Sequence, residues 1–358
     1  MLFDPRPKTS RSDLFNYEEE LSRLIKLFDD PLVVVSGLRR TGKTSLVLTA
    51  LNESGKPYLY VDLREGFSSY RQLYTLLAKS VSELAHRASK RRGILENLMR
   101  LLSRIRGVSI YGLEISISWS RREKPLLSEL FGVLDEIGGK AGERVVVVFD
   151  EFQHSRGSIG WVLHNAIAHS YDFDKNLAFV LTGSEMGVLY GILRNPENPL
   201  YGRAYGEVRT RKLTREESIV FLEKGFNEAQ VRVEREELER VVEELDGIIG
   251  WLAYYGYLRL KSAGNLENIV EEAVALAKSE LESFLSTRVS GRYRLILKLL
   301  AEGVREWRAL KRHLEKAEGR EVSDRALYEV LQQLKSHSII DEENSFTDPV
   351  VKKAALRL

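Results

Sequence analysis

Cysteine is missing from this sequence of 358 residues. Its absence excludes disulfide bonds, thiolate catalysis and zinc sites built on cysteine. The six histidines do not supply a zinc site either, because His164 and His169 lie five residues apart, not at the four-residue spacing that puts two ligands on one helix face. We therefore expect no zinc chemistry from this chain.

Long apolar stretches and a strong charge imbalance are also missing. No apolar run reaches the roughly 18 residues that a membrane helix needs, and the first stretch, MLFDPRPKTSRSD, lacks the apolar centre of a signal peptide. The formal net charge of +2 gives no global indication of a nucleic-acid or membrane partner. We therefore expect a cytoplasmic protein without a membrane partner, and its length predicts two or three domains.

Strands and helices alternate over the first part of the chain. Four runs, LVVVSG, PYLYVDLRE, RVVVVFDEF and LAFVLTGSE, have the composition of strands, and predicted helices separate them. This alternation is typical of a parallel α/β sheet with right-handed crossovers. The core spans about Pro31 to Val208. Within it, VSIYGLEISISW alternates with Ile115, Ile117 and Trp119 on one side, which predicts an inserted hairpin.

Two changes of pattern divide the rest of the chain. Beyond Leu213 the strand-like runs give way to long charged helices, and from about Gly291 three short helices precede two strand-like stretches, SIIDE and SFTD. The latter order is typical of a winged helix, a relative of the helix-turn-helix. The sequence therefore predicts a parallel-sheet α/β core over residues 1–210, a helical domain over 211–288 and a winged-helix domain over 289–358.

A glycine-rich stretch, SGLRRTGKTS, follows the first predicted strand. Gly37, Gly42, Lys43 and Thr44 match the pattern G-x-x-x-x-G-K-S/T between a strand and a helix. In such a loop the N–H groups point at phosphates, the lysine reaches the β- and γ-phosphates, and the threonine ligates Mg²⁺. The alternative is a glycine-rich turn with a surface lysine, and it would not require a strand before the turn and a helix after it. The predicted nucleotide contacts are Gly37, Arg39, Arg40, Thr41, Gly42, Lys43, Thr44 and Ser45.

Two acidic residues end the strand VVVVFDEF. Asp150 would lie at the carboxyl end of a buried strand, where α/β proteins place their ligands, and we predict that it holds Mg²⁺ together with Thr44. The adjacent Glu151 would activate the attacking water as general base. The alternative, two exposed acids that end a strand, is disfavoured by the phosphate loop upstream. A single aspartate would suit a kinase or GTPase, so the pair favours hydrolysis, with ATP and Mg²⁺ as cofactors.

Further polar residues lie at the end of the next strand and beyond it. Ser184, in preference to Thr182, would contact the γ-phosphate or the attacking water, although capping of the following helix explains Ser184 equally well. Positive charge near the γ-phosphate stabilises the transition state, and Arg203, Arg209 and Arg211 lie just past the core. Arg203 is the candidate because it follows a glycine in a proline-bounded loop; a solvated surface arginine is the alternative.

Together these motifs resemble those of the archaeal ATPase family, part of the STAND class of signal-transduction NTPases within the AAA+-like ATPases. The similarity rests on GLRRTGKTSL, VVVVFDEFQ, FVLTGSEMG, PLYGRA, GWLAYYG and a winged helix that ends in FTDPVV. It covers nearly the whole chain, from about Phe3 to the end. It implies an ATPase core, a helical lid and a winged helix that close around Mg-ATP.

The resemblance also implies individual roles. These are Lys43 and Thr44 for nucleotide and metal, Asp150 and Glu151 for metal and water, Ser184 as the sensor and Arg203 as the arginine contact. In such proteins an N-terminal segment packs on adenine, and Phe15 to Tyr17 would be its counterpart, with Tyr17 where an arginine is common. In the lid, Ile249 replaces the usual proline before WL, which leaves the turn at Gly247 to hold the shape.

The function that follows is a Mg-dependent ATPase of slow turnover that acts as a conformational switch on a protein or nucleic-acid partner. The alternative is a winged-helix DNA-binding regulator in which ATP is mainly structural. A small-molecule kinase is disfavoured by Glu151, the lid and the winged helix. Arg39 and Arg40, at variable loop positions, would point towards the lid or winged helix and pass on the nucleotide state.

The winged helix leaves the choice of partner open. Its third helix offers Arg325, Gln332, Gln333 and Lys335 as groove contacts, next to Asp324 and Glu329, which phosphates would repel. Arg308, Lys311 and Arg312 in the preceding helix form a more basic face, or a merely solvated one. A protein partner, DNA contact and assembly into an oligomer all remain open, as does the subunit on which Arg203 acts.

Overall fold

The computed structural model describes residues 1–89, 92–105, 107–117, 126–261, 264–288 and 291–358. These residues form a five-stranded parallel sheet between helices, a group of lid helices and a C-terminal winged helix. The predicted fold class is confirmed. Within these ranges, no helix has the length and apolar character needed to cross a membrane.

The described part of the chain contains seven strands: β1 (Leu32–Ser36), β2 (Tyr58–Asp62), β3 (Val108–Tyr111), β4 (Glu114–Ile117), β5 (Val145–Asp150), β6 (Leu177–Gly183) and β7 (Gly206–Arg209). Five of them form the parallel sheet, in the order β2-β5-β6-β1-β7. Because β6 lies between β5 and β1, the carboxyl ends of these three strands meet at one edge of the sheet.

The helices around the sheet are α1 (Glu18–Leu27), α2 (Lys43–Ser54), α3 (Tyr70–Ala88), α4 (Arg92–Leu102), α5 (Leu127–Ala141), α6 (Gly157–Phe173) and α7 (Met186–Arg194). The lid consists of α8 (Arg215–Glu228), α9 (Arg235–Leu245), α10 (Ile249–Lys261) and α11 (Leu266–Ser286). The winged helix contains α12 (Arg292–Ala301), α13 (Trp307–Glu318), α14 (Asp324–Ser336) and α15 (Pro349–Ala355).

The apolar run of β1 is continuous because both faces of the sheet are covered. Val33 and Val35 pack with the apolar sides of α1 and α2, whereas Leu32 and Val34 belong to the core on the opposite face, with α3, α5 and α6. All five residues of β1 are buried. This burial fixes the strand that carries the glycine-rich loop.

The predicted hairpin is present as the antiparallel pair β3 and β4. It packs on α3, where the Ser82 hydroxyl accepts a hydrogen bond from the Ile115 N–H at 2.9 Å. Ile115 is buried. Trp119, assigned to the same hairpin from the sequence, lies outside the described residues.

The lid core receives an aromatic side chain from the start of the chain. The Phe3 ring, only 1% exposed, lies 5.7 Å from Phe221 and 4.9 Å from Phe226 between ring centres. Gly225 and Gly256 make room for it, because a Cβ atom at either position would lie within 2.5 Å of the ring. The N-terminal segment is therefore part of the lid core.

The winged helix differs from its prediction near the end of the chain. The two strand-like stretches meet in a single β-bridge, between Ile340 and Phe346, so the expected strand pair is wrong in extent. Helix α15 was not predicted. It begins at Pro349, a favourable first position, and the Asp348 carboxylate accepts hydrogen bonds from the N–H groups of Val350 and Val351.

The winged helix contacts both the lid and the sheet domain. The Trp251 indole N–H of α10 donates to the Asp348 carboxylate at 2.8 Å. At the start of α7, the Met186 N–H donates to the Ser338 hydroxyl at 3.0 Å. Gly187 has no space for a side chain, since a Cβ atom there would lie 2.5 Å from the Ser336 Cα. The three parts are therefore packed directly against one another.

We predict that Phe3→Ala destabilises the lid by about 3–5 kcal/mol, the usual cost of removing a buried phenylalanine. The measurement is the free energy of unfolding from urea titration, followed by tryptophan fluorescence, to which the buried Trp251 of the lid contributes. Phe173→Ala is the matched control, because Phe173 is 69% exposed. Equal, small losses in both variants would contradict the assignment of Phe3 to the core.

Candidate functional site

The loop between β1 and α2 has the backbone geometry of an anion cradle. Gly42 has φ +88° and precedes α2, whose first turn has no side-chain cap. The N–H groups of a first helical turn lack intrahelical partners and carry the positive end of the helix dipole. The sequence placed a phosphate loop here, and the geometry fits phosphate.

Lys43 lies inside this loop. Its ammonium group is buried and donates hydrogen bonds to the Gly37 carbonyl at 3.0 Å and the Leu38 carbonyl at 2.7 Å. Burial lowers the pKa of Lys43, while the nearby carboxylates of Glu151 and Asp150 oppose that shift. Thr41 stabilises the loop, since its hydroxyl donates a hydrogen bond to the Leu38 carbonyl at 2.6 Å.

Asp150, at the end of β5, is surrounded by hydroxyl groups. Thr44 donates to one carboxylate oxygen at 3.2 Å, and Tyr60 of β2 donates to the same oxygen. Thr182 of β6 donates to the other oxygen. Asp150 is 1% exposed. The structure thus brings the two predicted metal ligands, Thr44 and Asp150, into contact.

Glu151 adopts a left-handed conformation, with φ +56°. Its N–H donates to the Thr182 hydroxyl at 3.0 Å, and one carboxylate oxygen accepts from the Ser184 hydroxyl at 2.7 Å and the Ser184 N–H at 3.2 Å. Burial acts to raise the pKa of Glu151, but the Lys43 charge and hydrogen bonds from Gln153 and Ser184 outweigh it, so the pKa lies below its usual value. Glu151 is held as a carboxylate anion.

The structure separates the two interpretations of Ser184. Its hydroxyl contacts Glu151, and Glu185 is the residue that precedes α7. Ser184 therefore does not cap that helix. Thr182, which lies on β6 two residues before Ser184, donates its hydroxyl hydrogen to the Asp150 carboxylate.

Gln153 is a site residue that our sequence reasoning missed. It is 1% exposed, and its amide nitrogen donates to the same Glu151 oxygen that Ser184 contacts. The amide also lies 3.3 Å from the Ser184 hydroxyl. The available signal was the glutamine of the stretch DEFQ, which we quoted without giving it a role.

A cleft of about 400 Å³ opens beside Lys43 and Glu151. One wall is polar and contains loop and helix residues from Arg39 to Ser45. The other wall is largely apolar and comes from the N-terminal segment and the lid, with Pro5, Pro7, Leu14, Phe15, Phe221, Ile249 and Trp251. A polar end and an apolar end suit the phosphate and the base of a nucleotide.

The N-terminal segment is fastened to both sides of this cleft. The Lys8 N–H donates to the Ser45 hydroxyl of α2 at 3.0 Å, and the Leu2 N–H donates to the Glu228 carboxylate of α8 at 2.8 Å. Phe15 lines the cleft and packs on Phe221, with ring centres 5.2 Å apart. Tyr17 is buried, and its hydroxyl donates to the Thr41 carbonyl at 2.6 Å, so it supports the loop from the side of α1.

The turn that the sequence singled out lies inside the lid, between α9 and α10. Gly247 has φ +67°, and a Cβ atom there would lie 2.1 Å from the Leu213 carbonyl oxygen. The Leu213 N–H donates to the Gly247 carbonyl at 2.9 Å. Ile249, in place of proline, starts α10 and lines the cleft. The glycine turn therefore sets the position of α10 without the proline.

Arg40 directs its side chain away from the loop and into the lid. Its guanidinium forms two hydrogen bonds with Glu280 of α11, at 2.6 and 3.1 Å, and lies 3.9 Å from the centre of the Trp251 ring. The Arg40 carbonyl accepts from the Gly250 N–H at 2.9 Å. Arg39 lies 3.5 Å from the same Glu280 but is 62% exposed. The side chain of Arg40 thus faces the lid, not the loop interior.

The predicted arginines beyond the core do not line the cleft, as far as the described residues show. Arg203 binds Asp172 of α6 at 2.6 Å and the Pro199 carbonyl. Arg211 forms two hydrogen bonds with Glu217, at 2.6 and 2.8 Å. Arg209 is exposed at the end of β7. In this conformation Arg203 is engaged within its own chain.

The residues at the cleft fit Mg-ATP. The uncapped first turn of α2, the ammonium of Lys43 and the apolar wall match triphosphate and base, and the hydroxyl of Thr44 beside the carboxylate of Asp150 supplies the oxygen ligands that Mg²⁺ prefers. Every residue in this set is compatible with bound ATP and Mg²⁺.

Comparison with known families decides the identity of this domain. A family model for ATPase domains found predominantly in Archaea matches residues 14–254, more than half of the chain. The chain belongs to this archaeal ATPase family. A second model, for the C-terminal winged helix-turn-helix domain of MCM proteins, matches residues 288–347. The sequence-based resemblance to archaeal ATPases is confirmed.

Solved structures agree with this membership. A Walker-type ATPase of Pyrococcus abyssi is 33% identical, with a TM-score of 0.83 and full coverage of both chains. The ORC2 protein of Aeropyrum pernix, in complexes with ADPNP and ADP, shares the fold at 16% identity and a TM-score of 0.63, with 99% of this chain and 95% of that chain covered. No curated protein sequence is significantly similar to the chain.

We predict that Glu151→Gln abolishes measurable ATP turnover but keeps ATP binding, because the variant lacks the predicted general base while the phosphate loop is intact. General-base catalysis contributes about 10²–10⁴-fold. Lys43→Ala should instead weaken binding itself. The measurements are phosphate release and fluorescent-nucleotide titration. The control is Glu197→Gln, an exposed carboxylate on the loop after α7; wild-type turnover in Glu151→Gln would refute the assignment.

We predict that Gln153→Met lowers kcat by about 10- to 150-fold and leaves KM nearly unchanged, because a hydrogen bond to a charged group contributes about 1.5–3 kcal/mol. Methionine keeps the volume and removes the amide donor. The readout is steady-state ATP turnover, with Gln333→Met on exposed α14 as control. An increase in KM alone would show that Gln153 supports nucleotide binding and not the Glu151 carboxylate.

Proposed function

We propose that this archaeal ATPase hydrolyses Mg-ATP and uses the nucleotide state to set the position of its lid and winged helix, as a conformational switch for a protein or nucleic-acid partner. We keep the domain boundaries predicted from the sequence: the core over residues 1–210, the lid over 211–288 and the winged helix over 289–358. Hydrolysis is the step that resets the switch.

The observation that carries the proposal is the contact of Arg40 with the lid. Arg40 belongs to the phosphate loop, yet its guanidinium lies between Glu280 and the Trp251 ring. Trp251 in turn donates to Asp348, which caps α15 of the winged helix. A change in the loop backbone therefore displaces a side chain that contacts the lid directly and the winged helix through Trp251.

The residues of the site divide the chemical work. Thr44 and Asp150 would hold Mg²⁺, which supplies positive charge to the phosphate oxygens. Glu151 would accept the proton of the attacking water, and Gln153 and Ser184 would orient its carboxylate. Lys43 would exchange its contacts with the loop carbonyls for contacts with the phosphates.

The role of Arg203 as a contact of the γ-phosphate is a separate proposal. Its bond to Asp172 keeps it outside the cleft in this conformation, so it would contact a γ-phosphate only after the Pro-bounded loop rearranges or from a second copy of the chain. Competition between Asp172 and phosphate would then couple Arg203 to nucleotide.

The switch is tested by the distance between the core and the winged helix. Because the chain has no cysteine, Asn165→Cys and Glu343→Cys add two unique label sites on exposed residues. Spin-label distances are measured with ADP and, in a Glu151→Gln background, with ATP. We expect the two distributions to differ, and Arg40→Ala to remove the difference while nucleotide still binds.

Arg71→Ala is the control, since Arg71 is exposed on α3 and does not line the cleft. It should keep the nucleotide dependence. Identical distributions with ADP and ATP would contradict the switch and favour the alternative, a DNA-binding regulator in which nucleotide is mainly structural. If the label distances still depend on the nucleotide in the Arg40→Ala variant, the core and the winged helix are coupled through residues other than Arg40.

A further inference from the structure

Helix α13 presents a row of unpaired cations. Arg308, Arg312 and Lys316 follow one another at four-residue intervals on one face, and Arg305 extends the row before the helix begins. All four are exposed, and none forms an ion pair or side-chain hydrogen bond with any residue in the described ranges. We call these four residues the α13 basic stripe.

Elsewhere on the surface, helices pair opposite charges at the same spacing. Residue pairs four apart form ion pairs on α3, α5, α9, α11 and α14: Glu83 with Arg87, Glu136 with Lys140, Arg235 with Glu239, Lys278 with Glu282, and Arg325 with Glu329. Like charges at this spacing destabilise a helix by about 0.2–0.5 kcal/mol per pair. The stability of α13 itself therefore does not account for the stripe.

The two glutamates of α13 are already engaged. Glu318 binds Arg292 and Arg320, and Glu315 accepts a hydrogen bond from the Val322 N–H at 3.3 Å. The stripe therefore keeps its charge facing solvent.

Helix α14, in contrast, has few free cations. Arg325 is paired with Glu329, and Lys335 donates to the carbonyl and carboxylate of Glu342. Lys311, which lies on α13 outside the stripe, binds Asp324 of α14 at 3.0 Å. The cations predicted as groove contacts on α14 are therefore neutralised, and the free positive charge lies on α13.

We propose that the α13 basic stripe binds the phosphate backbone of a nucleic acid, which makes nucleic acid the partner of the switch. With a rise of 1.5 Å per residue, Arg308 to Lys316 spans about 12 Å. One strand of B-DNA places a phosphate every 3.4 Å along the axis, so this length faces about three to four phosphates. Contacts of this kind position a protein on the duplex without reading its sequence.

The composition of the stripe favours nucleic acid over an acidic protein. Interfaces between proteins depend on apolar or aromatic anchors at their centre. The aromatic residue of α13, Trp307, donates its indole N–H to Asp324 of α14 and so lies on the side away from the stripe. The stripe offers charge without an anchor, which matches a polyanion.

The test is the salt dependence of binding to a fluorescein-labelled DNA duplex of about 30 base pairs, followed by anisotropy with the full chain. With four phosphate contacts, the affinity should fall by about 10²-fold between 50 and 200 mM KCl. In the triple variant Arg308→Gln, Arg312→Gln, Lys316→Gln, the same change of salt should lower affinity only about 3-fold. Arg325→Gln, on α14, is the matched control and should behave like the wild type.

Circular dichroism and thermal unfolding verify the fold of the triple variant, which removes only exposed charges. The inference rests on the proposed function in treating the winged helix as the output. Failure of this inference can be distinguished from failure of the proposed ATPase function, because the triple variant should hydrolyse ATP at the wild-type rate in the absence of DNA. No salt-dependent binding, or an unchanged salt dependence in the triple variant, overturns the proposal. Binding of polyglutamate in place of the duplex would assign the stripe to an acidic protein.

Discussion

The contact between Arg40 and the lid is the constraint on which the arrangement of this protein depends. A phosphate-loop residue with φ +63° turns its side chain outward, and its carbonyl and guanidinium are both used, by Gly250 and by Glu280. Gly250 has no side chain because a Cβ atom would lie 2.7 Å from that of Arg40. Loop and α10 therefore approach each other closely at Gly250, and the cleft beside this junction has the polar end and the apolar end that suit a nucleotide.

The two carboxylates of the site are stabilised in different ways, although they are adjacent in sequence. Asp150 accepts bonds from three hydroxyl groups, which suits an oxygen ligand shared with a metal ion. Glu151 receives amide and hydroxyl donors from Gln153 and Ser184 and faces the Lys43 charge, so its anion is stabilised despite burial. The left-handed backbone at Glu151 separates the two side chains and allows the adjacent acids to act on different atoms.

The sequence predicted the features that local patterns encode. The phosphate loop, the acidic pair after β5 and the order of strands and helices follow from spacing and hydrophobic periodicity within short windows. Contacts between distant residues could not be inferred this way. Arg40 and Glu280 lie far apart in sequence, and Phe3 enters a lid core that only the folded chain assembles. Helix α15 was missed because it has only seven residues. It begins at Pro349, soon after the β-bridge at Phe346, so few residues are left to extend the pairing.

The junction between α7 and the winged helix keeps two ionisable groups away from water. Burial raises the pKa of Glu185 and lowers that of His337 to about 4. Arg156, at 3.7 Å from the Glu185 carboxylate, opposes the rise in the pKa of Glu185. Arg288, at 3.1 Å from the His337 ring, lowers the pKa of His337 further. Exposure of these groups to water would favour separation of α7 from the winged helix, while the close fit of Gly187 against Ser336 favours contact. The contact between α7 and the winged helix therefore combines desolvated ionisable groups with close backbone packing.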